Sequence, residues 1–176
     1  GLCTPRSDVK LMHNKFIVLL RDNAPVAVWT GSTNLSRNAL HGQLNVGHVI
    51  RRPDVAGRFL AYWNELAGDP TSGQLKDWVE ANNPLPPADE TGSVVTIFSP
   101  HRGREVLDWW VELANDGAAP RPLFMTFPFG ISKDFRPPFD RNDGVLRFAL
   151  LDKYVNGGTT ASRAAAIAEI SAIRTH

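Results

Sequence analysis

Cysteine is nearly absent: Cys3 is the only one in 176 residues. A lone thiol can form neither an intramolecular disulfide nor a cysteine zinc site. A reducing compartment follows as the expectation, cytoplasmic, with secretion left open. Long apolar runs are missing as well. The longest, Phe16 to Leu20, falls far short of the roughly 20 residues of a membrane helix, so no transmembrane segment is expected and the run reads as a buried strand. Charge of one sign is also lacking, because 19 Lys and Arg against 18 Asp and Glu leave a net charge of +1. No overall basic field announces a nucleic-acid binder, although Arg51, Arg52, Arg102, Arg104 and Arg147 can still converge on a local patch. His41 and His48 have no carboxylate or cysteine partners at metal-ligand spacing, so neither a zinc site nor another cofactor is expected. The first methionine, Met12, sits inside a motif, and the expectation is a processed chain or a piece of a longer one.

What is present is a globular composition, 43% apolar and 21% charged, with room for one ordinary domain or two small ones. Residues 9–20 alternate and then become continuously apolar, and Val26 to Thr30 is β-branched and aromatic. The two predict strands joined as a hairpin across Asp22-Asn23-Ala24-Pro25. Asn45 to Ile50 predicts a third strand. Pro53 to Leu66 predicts a helix with Phe59, Leu60, Trp63, Leu66 and Ala67 as its apolar stripe, and Gln74 to Glu80 a short helix. Residues 81–92, ANNPLPPADETG, carry three prolines and no periodicity, as a linker or crossing loop would. Strands at Val94–Phe98, Leu123–Phe127 and Val145–Leu151 and helices at Arg104–Asn115 and Ser162–Ile173 follow. Ala166, Ile167, Ile170 and Ile173 form one side of the last helix. The alternation argues for a layered α/β fold divided into residues 1–80, the linker 81–92 and residues 93–176.

The chemistry concentrates near the N-terminus. In an extended strand, residues two apart share a face, so His13 and Lys15 present an imidazole and an ammonium side by side. A neutral imidazole can attack phosphorus and form a phosphohistidine, while the ammonium neutralises non-bridging oxygens without a metal. Gly31-Ser32-Thr33-Asn34 follows the second strand. Its glycine permits close backbone approach, and the Ser32 hydroxyl and Asn34 amide can donate to phosphate or orient the histidine. Strand pairing would bring this turn beside His13 and Lys15.

The stretch HNKFIVLLRDNAPVAVWTGSTNLS resembles the signature of the phospholipase D superfamily, H-x-K-x4-D followed by G-S-x-N. The likeness is close over residues 12–50 and looser beyond. It implies a phospholipase D-type α/β sandwich. It assigns His13 the role of nucleophile or general acid and Lys15 that of phosphate ligand, with Ser32 and Asn34 supporting them. It also places Asn45 at a position near the site in related nucleases. The family pairs two such motifs, so the second half-site is expected from sequence beyond His176 or from a homodimer partner. Residues 93–155 resemble the opening half of another lobe, making this chain the back half of one lobe followed by the front half of a second. One departure stands out: the family aspartate falls at Leu20, and Asp22, two residues on, reads as a turn residue. His101, Arg102, Lys133 and Arg136 are weighed as substrate contacts against simple solvation, and Trp109 and Trp110 as packing residues.

The resulting expectation is a metal-independent phosphodiester hydrolase for nucleic acid or phospholipid. The alternative is a degenerate lobe that serves as a nucleic-acid-binding or interaction module. A third reading is an unrelated α/β domain in which His13, Lys15 and Asn34 do not converge.

Overall fold

The computed structural model describes residues 3–8, 12–43, 45–87, 94–115, 122–127, 132–151, 159–161, 164–165 and 167–168. The chain is mixed α/β and divides into two compact units, Gly1–Gly103 and Arg104–His176.

The first unit is built on a three-stranded antiparallel sheet, β1 (Phe16–Arg21), β2 (Ala24–Gly31) and β3 (Gly47–Ile50), in that order across the sheet. Asp22 and Asn23 turn β1 into β2 with φ of 51° and 63°. A two-residue hairpin loop needs two left-handed positions, which Asp and Asn tolerate better than most residues. Pairing runs from Phe16↔Thr30 to Leu19↔Ala27, then skips Val26 at a bulge and resumes at Leu20↔Pro25. Pro25 has no N–H to give, and β3 pairs with β2 only from Val28 to Gly31, so the proline lies where that edge is unpaired. The pleat sends Phe16, Val18, Val28 and Ile50 to the core. Ile17, Leu19 and Val49 are left 51–63% exposed on the other face.

Helix α1 (Arg37–His41), capped by the Ser36 hydroxyl, connects β2 to β3; its polar sequence carries no periodicity to announce it. Helix α2 (Pro53–Ala67) starts with Pro at its first position, where no N–H is needed. It packs Val55, Ala56, Phe59, Tyr62 and Leu66 into the core. The expected stripe is thus rotated: Phe59 and Leu66 are buried as predicted, but Tyr62 takes the place assigned to Trp63, which is half exposed. The reason lies in the neighbours. Phe98 stacks on Tyr62 at 4.5 Å and 8°, and meets Phe59 edge-on at 5.0 Å. Helix α3 (Ser72–Asn82) carries a full capping box between Thr71 and Gln74 and adds Leu75 and Val79 to the core.

The predicted strand at Val94–Phe98 does not form; this stretch belongs to no sheet. Its polar backbone is satisfied by the buried Asn83 side chain instead. Asn83 Oδ1 accepts from the Phe98 N–H at 2.6 Å, and Asn83 Nδ2 donates to the Thr96 carbonyl at 2.8 Å. These bonds, with Phe98 in the core, draw residues 94–99 into the first unit. The division consequently falls between Gly103 and Arg104, downstream of the proline-rich stretch read as a linker.

In the second unit, β4 (Leu123–Phe127) pairs in parallel with β5 (Arg147–Leu151), and α4 (Glu105–Asn115) precedes them. The Pro- and Gly-rich crossing holds a 3-10 turn at Lys133–Phe135 and a short helix α5 (Arg136–Asp140), neither foreseen from sequence. Phe127 packs against Phe135 and Phe139 at 5.9 and 6.3 Å. Arg147, at 2.7 Å, holds the Asp143 carboxyl far below the ordinary carboxylate range. Within the predicted last helix, residues 164–165 and 167–168 are helical; Ala166, Ile170 and Ile173 lie outside the described residues.

Candidate active site

His13 and Lys15 stand just before β1, in a segment of irregular backbone. The segment is fixed from β2: the Lys15 carbonyl accepts from the Gly31 N–H at 3.3 Å and from the Thr30 hydroxyl at 3.4 Å. Strand pairing therefore brings the start of the Gly31-Ser32-Thr33-Asn34 turn against the His13-Asn14-Lys15 segment, as the hairpin predicts. A cleft of about 250 Å³ opens here. Its walls include His13, Lys15, Thr30, Gly31, Tyr62 and Ser99, and none of its lining residues is acidic. Lys15 Nζ donates to the His13 carbonyl at 2.5 Å, and among the described residues no carboxylate pairs with it. An ammonium without a carboxylate partner favours an anionic ligand.

Gly31 has a structural reason of its own. A Cβ there would collide with the Val46 carbonyl and approach Gly47 Cα at 2.8 Å. Absence of a side chain lets β2 and β3 close on one another at the lip of the cleft.

The remaining candidates are placed differently. Ser32 Oγ accepts from the Val46 N–H at 3.0 Å and donates to Asn45 Oδ1 at 3.2 Å. Asn45 Nδ2 in turn donates to the Ala39 carbonyl at 2.9 Å. Ser32 and Asn45 are thus brought together as a pair that ties the turn to α1 and to the start of β3. A hydroxyl has one proton to give, and that of Ser32 is directed at Asn45 in this arrangement. Asn34 is exposed, and its carbonyl accepts from the Ser36 N–H at 2.8 Å. Neither Asn34, Ser32 nor Asn45 lines the cleft that His13 and Lys15 share. Leu20, at the position of the motif's aspartate, is 44% exposed. Asp22 is a hairpin-turn residue, as read from the sequence.

Comparison with protein-family models, with curated proteins and with solved structures finds no match for this chain.

Two contributors escaped the sequence reading. Asn14, between the two candidates, donates through Nδ2 to Tyr62 Oη at 3.1 Å, and Tyr62 donates to the Ser99 carbonyl at 2.6 Å. Burial pushes the Tyr62 phenol up, against the opposing pull of the Asn14 bond. Helical periodicity marks Phe59 but gives no hint that Tyr62, one turn on, reaches across to residue 14. Elsewhere, Arg102 is engaged by Asp77 and Glu80, which removes it as a ready substrate contact. His101 keeps Nε2 buried without a hydrogen-bond partner among the described residues. Trp109 and Trp110 meet edge-on at 4.8 Å. Among the described residues no three His, Cys, Asp or Glu side chains gather as a metal site, and no helix is long and apolar enough to cross a membrane.

Proposed function

We propose that this chain carries one half-site of a phospholipase D-type phosphodiester hydrolase, in the closing half of one lobe, followed by the opening half of a second. The observation that carries the reading is the pairing of His13 with an uncompensated Lys15 on one cleft that has no acidic lining, held against a Gly-Ser-x-Asn turn by β-pairing. In the reaction, the neutral His13 imidazole attacks phosphorus while Lys15 offsets charge on the non-bridging oxygens. The bond from phosphorus to the leaving oxygen breaks, and that oxygen takes a proton from a general acid of the second half-site. Water, deprotonated by the same group, then attacks the phosphohistidine. The N–P bond breaks, releasing a phosphomonoester and restoring His13. Ser32 and Asn45 hold the turn, and Asn34 stands at its exposed end for the second half-site to meet. That second half-site comes from a second copy or from sequence beyond this chain. The phosphodiester belongs to a nucleic acid or a phospholipid.

The test exploits the leaving group. From a p-nitrophenyl phosphodiester the p-nitrophenolate leaves without protonation, so the expected outcome in excess EDTA is acid-labile, base-stable labelling of His13, lost in His13→Asn. An alkyl diester, which needs the absent acid, is expected to label at least about 100-fold more slowly. Labelling that survives His13→Asn would remove the reading. The second reading, a degenerate binding lobe, draws on Leu20 in place of the motif's aspartate, whereas Asn34 lying off the cleft is what the unrelated α/β domain expects. The degenerate lobe expects retention of nucleic acid with no labelled histidine.

A further inference from the structure

We propose that Tyr62 is a positioning residue for His13 and Lys15, acting through Asn14. The proposal rests on the phosphodiester reading for its purpose, and on hydrogen-bond geometry for its substance. Asn14 stands between His13 and Lys15 in the chain, and all three line the same cleft. Whatever holds Asn14 therefore restrains the backbone that carries the imidazole and the ammonium. Lys15 is fixed through its carbonyl by Gly31 and Thr30, but among the described residues nothing bonds the His13 side chain. The anchor one position before Lys15 is the bond from Asn14 Nδ2 to Tyr62 Oη, 3.1 Å.

Tyr62 is suited to the task because it is closely packed. It is 2% exposed, stacks on Phe98 and lies 6.0 Å from Trp78 and 6.1 Å from Phe16. Its hydroxyl is also polarised in one direction. The single phenolic proton goes to the Ser99 carbonyl at 2.6 Å, which leaves the oxygen to accept from Asn14. A phenylalanine would keep every ring contact and lose only this relay. Tyr62, which lines the cleft with His13 and Lys15, is thus the point where the buried core is bonded to the candidate site.

The experiment uses the full chain and four variants: Tyr62→Phe, Asn14→Ala, the two combined, and His13→Asn. Two quantities are read: backbone 15N order parameters at residues 13–15, and the affinity for orthovanadate. Thermal unfolding of each variant checks that the fold persists. Asn14 is exposed and outside the core cluster, so Asn14→Ala carries the test even if Tyr62→Phe unfolds. The expected result is an order parameter near 0.85 at residues 13–15 falling below about 0.6 in either single variant. Vanadate binding is expected to weaken about tenfold in each. The double variant should be no worse than Tyr62→Phe alone, because that substitution already removes the bond to Asn14. Unchanged order at residues 13–15 in Asn14→Ala would overturn the proposal and leave Tyr62 a core residue. Vanadate binding equal in the unsubstituted chain and in His13→Asn would instead remove the phosphodiester reading, while the order parameters still decide whether Tyr62 positions His13.

Discussion

Gly31 joins the hairpin to the candidate site at the cost of any side chain, because the Val46 carbonyl occupies the space a Cβ would take. Gly31→Ala is expected to part β2 from β3 and to cost about 1–3 kcal/mol, as overpacking does, measured by urea unfolding. The same substitution should abolish His13 labelling even where the fold survives. Asp69 shows a different kind of residue-scale control. Its carboxylate accepts from the Ser7 hydroxyl and N–H and pairs with Arg6 at 2.7 Å. Those Ser7 bonds first, and Arg6 after them, hold its pKa below the ordinary value. A depressed folded-state pKa gives stability that is present above the unfolded value of about 3.9 and lost as pH falls through the folded value. Thermal unfolding of the unsubstituted chain should therefore drop below about pH 4, and Asp69→Asn should flatten that drop while lowering Tm at neutral pH. An acid limb identical in the two proteins would show that residues 6–8 are held by other means.

At the scale of elements, α2 carries the weight of the first unit. Phe59 touches Phe16 at 5.2 Å and Phe98 at 5.0 Å, and so joins β1 to the segment after Asn83. Phe59→Ala removes a ring from a site with little room to collapse and is expected to cost about 3–5 kcal/mol, read from chemical denaturation. A loss below about 1 kcal/mol would mean the cluster repacks freely. Element existence was largely legible in sequence. The hairpin, β3, α2, α3, α4, β4 and β5 lie close to where the periodicity puts them, because each carries a repeat that matches its geometry. Three failures have separate physical causes. The α5 region holds Pro137 and Pro138 in its first turn, where proline is tolerated but reads as a loop signal. The α1 region is too short to show a period. Val94–Phe98 has strand composition, yet its backbone partner is a side chain, Asn83, that no local pattern announces.

At the scale of the molecule, the solvent-facing side of the three-stranded sheet presents Ile17, Leu19 and Val49. In the second unit Phe124 and Phe148 stack at 5.1 Å while 69% and 46% exposed. Apolar side chains grouped in this way favour association. Sedimentation velocity is expected to show a weight-average mass rising with concentration, and Leu19→Lys to shift the distribution toward monomer. A single monomeric species across the accessible concentration range would contradict this.

The sequence alone determined the chemistry on offer: an imidazole and an ammonium two residues apart, a hairpin turn that tolerates left-handed backbone at Asp22 and Asn23, and a glycine where strands must meet. These follow from residue type and spacing, which are local. Only the tertiary structure decided which of those groups share a cleft. It placed His13 and Lys15 together, turned Ser32 and Asn45 toward one another, left Asn34 exposed, and brought Tyr62 from α2 to Asn14. The physical reason is that a side-chain hydrogen bond across 48 residues depends on how helix and sheet pack, and that packing is set by the whole core at once rather than by any stretch of it.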